Sequence, residues 1–300
     1  MDVRITVVGG TGFIGRQLVE RLVRRGVSVR TVSRRARADS VPATHIERVV
    51  GSIEDPATIE RAVDGTDAVV NLVGTTAAKS ATQFYALHRD APRRLAEAAR
   101  RAGVRRLVHV SAMGIGLEAP SLADRSKAAG EHAVREVFPD ADFVRPALVY
   151  GPGDHFFTRF AELARSAPAI PMIGHGRTRF QPIHVEDIAE AMARLLEQPR
   201  SHGRVFELGG SEIFSFRELV EGLCRAIGRR PWLVPIPFPV AEAGAYATQW
   251  LPRPPLTVDQ VRLLKTDKVI RDPGSAPAAL GVRPRPLERF LSELGKHYRR

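Results

Sequence analysis

The 300-residue sequence predicts an α/β protein built on a doubly wound parallel sheet, followed by a smaller C-terminal substrate-type domain. Three observations carry that expectation. A strand, Val3-Arg4-Ile5-Thr6-Val7-Val8, runs without a break into Gly9-Gly10-Thr11-Gly12-Phe13-Ile14-Gly15, then into a helical pattern with Leu18, Val19, Leu22 and Val23 on one face. Short apolar segments then alternate with helical ones as far as residue 150, the pattern of a parallel sheet covered on both faces. Beyond Tyr150 prolines recur and the alternation stops.

After the first strand, loop and helix, residues 27–33 and 46–51 read as strands two and three, and 56–63 as a helix. Residues 68–73 read as a buried strand, 84–102 as a long Ala/Arg-rich helix and 106–111 as the next strand. Residues 126–137 read as a helix and 142–149 as a further strand. A Rossmann-type domain is thus expected over 1–150. Residues 151–300 form the smaller domain with a basic tail, although a strand near 204–208 returns to the sheet. Helices are expected over 187–196 and 216–227, the second carrying the lone Cys224 as packing. Residues 231–255, dense in proline and aromatics, resemble a lid or docking surface rather than a regular helix. The plainer alternative is an irregular, packed piece of the second domain.

Composition narrows the function classes. The apolar fraction of 44% supplies a full core, and a single cysteine permits no internal disulfide. With no convincing membrane span and no signal peptide, a cytoplasmic location is expected, extending to the inner face of the membrane. The formal charge of +12 is spread along helix faces without the stacking aromatics of single-strand binders, so nucleic acid is not expected. Residues 253–300 hold 11 Lys/Arg against 5 Asp/Glu, which makes the tail the candidate for an acidic protein or membrane surface.

The glycine loop points to a dinucleotide. Gly9 allows the tight turn, Gly12 the approach of a pyrophosphate, and Gly15 close helix–strand packing. Thr11, Phe13 and Ile14 complete the loop at the helix start, whose N–H groups and dipole favour phosphate. An acid after strand two would favour NAD; here stand Ser33-Arg34-Arg35, whose guanidinium groups suit a 2′-phosphate, so NADP(H) is favoured over NAD(H). Ser52 and Ile53 are placed to meet the adenine, and Asn71 and Gly74 the nicotinamide-side ribose. Gly114-Ile115-Gly116 reads as a mobile loop over the nicotinamide. His155, His175, His184 and His202 fit no metal-ligand spacing, and His184 reads as a helix cap.

These stretches, with His109-Val110-Ser111-Ala112, Ser126-Lys127-Ala128-Ala129-Gly130-Glu131, Arg145-Pro146-Ala147-Leu148-Val149-Tyr150-Gly151-Pro152 and Phe180-Gln181-Pro182-Ile183-His184-Val185-Glu186-Asp187, resemble the extended short-chain dehydrogenase/reductase superfamily. The matches cover almost the whole chain. Asp154-His155-Phe156-Phe157-Thr158-Arg159, Gly176-Arg177-Thr178-Arg179-Phe180 and Leu256-Thr257-Val258-Asp259-Gln260 resemble an atypical branch: the nucleotide-binding accessory subunit of respiratory complex I and its bacterial relatives. The resemblance implies catalytic roles for Ser111 and Lys127, Lys127 also holding the nicotinamide ribose. It puts a proton-transferring tyrosine at residue 123, where this chain has alanine. With five lysines in the chain, Lys127 itself reads as chosen for its compact ammonium. The resemblance therefore implies an NAD(P)H-binding protein without tyrosine-dependent catalysis, with a structural, assembly or sensing role tied to an NADH:quinone oxidoreductase. The alternative is an active NAD(P)-dependent oxidoreductase or nucleotide-sugar epimerase/dehydratase using another acid, such as Lys127, Tyr150 or water.

Overall fold

A computed structural model describes residues 3–35, 45–78, 80–198, 202–251 and 256–298. Seven parallel strands form the central sheet: β1 (Arg4–Val8), β2 (Ser28–Ser33), β3 (Ile46–Val50), β4 (Ala68–Asn71), β5 (Arg106–Val110), β6 (Asp142–Pro146) and β11 (Val205–Leu208). Their order is β11-β6-β5-β4-β1-β2-β3, so the chain switches direction across the sheet between β1 and β4. As expected, the late strand β11 rejoins the sheet, pairing with β6 from Val205↔Phe143 to Leu208↔Pro146.

Both faces are covered, which explains the unbroken apolar strands. On one face α1 (Phe13–Arg24) and α7 (Val185–Glu197) bury Leu18, Val19, Leu22, Ile188, Met192 and Leu195 against Ile5, Val7 and Val29. On the other, α2 (Pro56–Val63), α4 (Ala91–Arg101) and α5 (Leu122–Val137) bury Ile59, Leu95 and Val134 against Val8, Val69 and Phe143. The remaining elements are α3 (Ala81–Tyr85), β7 (Val149–Tyr150), α6 (Phe156–Ser166), β8 (Ala169–Ile173), β9 (Arg179–Phe180), β10 (Ile183–His184), β12 (Phe214–Ser215), α8 (Phe216–Ile227), β13 (Trp232–Ile236), α9 (Phe238–Thr248), α10 (Val258–Leu263) and α11 (Leu287–Tyr298). Among them α6, α8 and α11 close a separate aromatic-rich core around Tyr150, Phe157, Phe216 and Phe290.

Four sequence expectations need correction. The helix expected over 84–102 is α3, a π-helical turn at Ala86–Asp90, then α4. Pro92 cannot donate to the His88 carbonyl, and Gly130 of α5 comes so close to that carbonyl that any Cβ would overlap it. The helix expected from residue 126 starts at Leu122, because Ser121 Oγ accepts from Asp124 N–H (3.0 Å). The strand expected over 142–149 stops at Pro146, which has no N–H to extend the ladder, and Val149–Tyr150 pairs with β10 instead. Residues 231–251 contain a regular strand and a regular helix, where a lid or docking surface rather than a regular helix was expected. Their prolines fit regular structure: β13 pairs only with β8, so Pro235 sits on an edge strand, and Pro239 occupies the first turn of α9.

Candidate functional site

A cleft of about 450 Å³ opens at the carboxyl ends of the strands, where the sheet order switches. Gly9, Thr11 and Gly12 line it from the loop after β1, Ser33 and Arg34 from after β2, Ser52, Ile53 and Glu54 from after β3, and Gly74 and Thr75 from after β4. Gly9 turns with φ of +86°, a conformation that side chains disfavour. Gly15 has no room for a side chain: its Cβ would stand 2.8 Å from the Gly10 Cα and overlap the Gly9 carbonyl. Gly12 is exposed, leaving the loop open on its outer side. Helix α1, which Phe13 and Ile14 begin, has no side-chain cap and no acid in its first turn. Its leading N–H groups and positive dipole end therefore remain available to an anion.

At the end of the cleft beyond β2, Arg34 and Arg35 are exposed, and their guanidinium groups make no hydrogen bond or ion pair with the described residues. Ser33 Oγ donates to the Arg35 carbonyl (2.8 Å), and Ser52 Oγ accepts from Glu54 N–H (3.2 Å).

At the other end, a buried polar chain shapes the wall. Asn71 Nδ2 donates to His109 Nδ1 (3.1 Å) and its Oδ1 accepts from Val73 N–H (3.1 Å). Asn71 is therefore engaged by the protein and holds the loop after β4, rather than presenting its amide to the cleft. His88 Nε2 accepts from Thr75 N–H (3.0 Å), so its Nδ1–H donates to Ser126 Oγ (2.7 Å), which donates to the Ala123 carbonyl (3.0 Å). Burial, then the neighbouring Lys127 and His109, hold the His88 imidazole down to about 3. Burial likewise holds His109 down to about 4, with Glu131 opposing and Lys127 adding to it. Both rings are neutral at pH 7.

Lys127 reaches this wall from α5, its Cε 3.9 Å from where a Cβ on Gly74 would stand. Its ammonium makes no hydrogen bond or ion pair with the described residues. Burial pushes its pKa down, Asp124 opposes that, and Lys268 adds to it. Ser111 is buried after β5, and its Oγ has no protein partner. An unpaired ammonium, an unpaired buried hydroxyl and a glycine cradle are the residues that fit a nicotinamide dinucleotide.

Ala123 lies one helical turn before Lys127, fully buried, with only a methyl group to offer. A late segment closes over it. Asp259 of α10 accepts from Leu122 N–H (2.5 Å) and Ala123 N–H (3.1 Å), and Lys268 Nζ pairs with Asp124 at 2.8 Å. The Lys268 backbone donates to the Arg179 carbonyl (2.8 Å) and accepts from Gln181 N–H (3.0 Å). The glycine loop 114–116, expected to be mobile, is held beneath this segment: a Cβ at Gly114 would meet the Asp267 carbonyl at 2.8 Å.

Tyr150 stands apart. It is fully buried, donates to the Arg285 carbonyl (2.9 Å) and packs on Phe157, His184 and Phe290. Burial pushes its phenol well up, so it keeps its proton, which is committed to the Arg285 carbonyl. His184 caps α7, accepting from Glu186 N–H (3.3 Å). Among the described residues no His/Cys/Asp/Glu group is arranged to hold a metal.

The model of the NAD dependent epimerase/dehydratase family matches residues 5–209, more than half the chain. The protein belongs to that family. The chain is 31% identical to an Arabidopsis thaliana mitochondrial protein, NADH dehydrogenase [ubiquinone] 1 alpha subcomplex subunit 9, across 98% of this chain and 78% of that one. It is 32% identical to a ceramide reductase of Caulobacter vibrioides across 93% of this chain and 88% of that one. A Streptomyces venezuelae dTDP-glucose 4,6-dehydratase solved with NAD bound has the same fold, with a TM-score of 0.77 and 22% identity over 99% of this chain and 97% of that one. The resemblance read from the motifs, to the extended superfamily and to the complex I accessory subunit, therefore holds.

Sequence reasoning missed His88, Asp124, Asp259 and Lys268. The lysine scarcity that singled out Lys127 applies equally to Lys268. Ser121-Leu122-Ala123-Asp124 is an S-x-x-D helix start that marks where α5 begins.

Proposed function

We propose that the protein binds NADP(H) across the β1–α1 cleft and acts without tyrosine-dependent hydride chemistry, as a structural, assembly or sensing factor tied to a respiratory NADH:quinone oxidoreductase. The observation that carries this is Ala123: an inert, buried methyl group at the proton-transfer position, beside a glycine cradle that leaves no room for side chains. Losing one positioned acid–base group costs about 10²–10⁴-fold in rate, whereas binding rests on groups that remain. Gly9, Thr11 and Gly12 would hold the pyrophosphate, with Gly15 letting α1 pack close beneath them, Ser52 and Ile53 the adenine, Arg34 and Arg35 a 2′-phosphate, and Lys127 the nicotinamide ribose. The likeness to a mitochondrial NADH dehydrogenase subunit supports a respiratory partner. The location proposed is cytoplasmic, at the inner face of the membrane.

Calorimetric titration with NADPH and NADH tests the nucleotide. NADPH is expected to bind at least tenfold tighter, and Arg34→Ala/Arg35→Ala to abolish that preference while sparing NADH. Equal affinity for the two nucleotides would refute the assignment. Affinity capture of the tagged protein from its native membranes tests the partner: respiratory-complex subunits are expected, and their absence would sink the assembly role.

One observation favours a second reading. Ser111 Oγ and the Lys127 ammonium are both unpaired among the described residues, and one similar protein is a ceramide reductase. In that reading the protein would reduce a long-chain carbonyl: bound NADPH would supply the hydride to carbon and leave as NADP⁺, and Lys127 or water would supply the proton to oxygen. NADPH oxidation with a ceramide-like long-chain carbonyl compound that is lost in Lys127→Met would favour it; no turnover would exclude that substrate class.

A further inference from the structure

The sequence placed docking to an acidic or membrane surface in the basic tail and read residues 231–255 as a lid or docking surface, but much of the tail's charge is used internally. Arg262 and Lys265 pair with Glu242, Lys268 with Asp124, and Arg285 with Glu186 and Asp187. A different surface lacks internal partners. The chain has two tryptophans, and both are among the most exposed large apolar side chains of the described residues, Trp232 at 79% and Trp250 at 77%. Tyr246, Val240 and Val234 lie between them, also exposed. Scattered single apolar residues on a surface are ordinary; this concentration is not.

Helix geometry shows why these side chains stay outside. At 100° per residue, Phe238, Ala241 and Ala245 share one side of α9 and pack with Ile173 and Val261. Val240, Ala243, Tyr246 and Ala247 fall on the opposite side and are exposed. Trp250 extends that stripe past the last turn, its indole N–H donating to the Ala247 carbonyl (2.6 Å). The only charged residue between 231 and 251 is Glu242, and it is drawn onto Lys265 at 2.5 Å. The flanks are basic. From residue 222 to 258 Glu242 is the sole acid, against Arg225, Arg229, Arg230 and Arg253. Arg229 and Arg230 are exposed just before Trp232, with no hydrogen bond or ion pair from their side chains to the described residues.

We propose that β13 and α9 dock on the headgroup layer of an anionic lipid bilayer, with Trp232, Tyr246 and Trp250 inserted at the interface and Arg229 and Arg230 on lipid phosphates. Charge complementarity and aromatic anchors with polar tips select this occupant: such side chains settle at headgroup depth, and nearby cations add attraction to anionic lipid. No helix among the described residues is long and apolar enough to cross a membrane, so the protein lies on the surface rather than through it. The proposal rests on the location given above only in naming a membrane. It needs no nucleotide, and NADPH titration reads the cleft separately.

Because both tryptophans lie on this surface, intrinsic fluorescence reports the docking directly. The full chain is mixed with vesicles of phosphatidylcholine alone, or of phosphatidylcholine and phosphatidylglycerol in equal parts. A blue shift and co-sedimentation with the anionic vesicles only are expected. Arg229→Gln/Arg230→Gln should weaken binding about 25-fold, roughly fivefold per cation. Trp232→Ala/Trp250→Ala should weaken it at least tenfold, with NADPH affinity unchanged as the check on folding. An unshifted wild-type spectrum with no co-sedimentation would overturn the proposal. So would vesicle binding that survives the tryptophan substitutions. Self-association lost in that variant, without vesicle binding, would assign the surface to a second copy instead.

Discussion

His88 shows how a side chain outside every recognised motif governs the site. It connects the Thr75 amide, at the cleft wall, to Ser126 on the helix that carries Lys127. Its neutrality has a stability consequence. Burial holds His88 down to about 3 and His109 to about 4, against about 6.5 in an unfolded chain. Below pH 6.5 the unfolded chain takes up protons that the native rings refuse, so their contribution is complete above that pH and is lost as pH falls towards 4. By pH 5 each ring is expected to remove about 2 kcal/mol. Urea midpoints at pH 7 and pH 5 should therefore differ less in His88→Gln than in the parent; an equal fall in both would refute the assignment. Gly15→Ala is the second residue-scale prediction. Alanine favours a helix by about 1 kcal/mol, yet here its methyl group would overlap the Gly9 carbonyl. Nucleotide affinity is expected to fall at least tenfold and the melting temperature to drop; a gain in either would show that the loop yields.

At the scale of elements, Asp124 and Lys268 join α5 to a segment 144 residues away, with side-chain exposures of only 3% and 13%. Removing one partner from such a buried pair leaves the other charge uncompensated, so Lys268→Met should cost about 3 kcal/mol. Adding Asp124→Leu should restore most of it in urea unfolding; two additive losses would mean the pair is not coupled. Elements were legible in the sequence wherever local chemistry decides. Pro56–Val63 and Phe216–Ile227 were read to the residue, since Asp55 caps the first and a Ser215/Glu218 capping box starts the second. Misreadings arose where the deciding partner is distant. The π-turn that aims His88 depends on Gly130, and α5 starts early partly because Asp259 binds its first N–H groups. The prolines of residues 231–250 argued against regular structure only until β13 proved to be an edge strand. Within the site, the glycine loop and Arg34 could be read from their places after strands one and two, and Lys127 from the family resemblance and the scarcity of lysine. The groups around Ala123 could not, because they come from four separate parts of the chain.

For the whole molecule, the late elements complete the early half. Helix α7 covers α1, with Arg21 and Arg25 on Glu190, while β11 pairs with the edge of β6. A chain ending at Tyr150 would expose that apolar face and edge. It is expected to give a poorly dispersed amide spectrum and rapid proteolysis, and a stable fragment with native nucleotide affinity would contradict this view. The segment around Lys268 carries a further consequence, for biosynthesis. Translation makes the glycine loop well before Lys268, yet Lys268 lies against Gly114 and secures Asp124. A nascent chain thus displays its phosphate loop long before the wall opposite can set. Stable nucleotide capture is therefore expected only after the segment around Lys268 has been made, and until then the exposed sheet of the growing chain is open to misfolding.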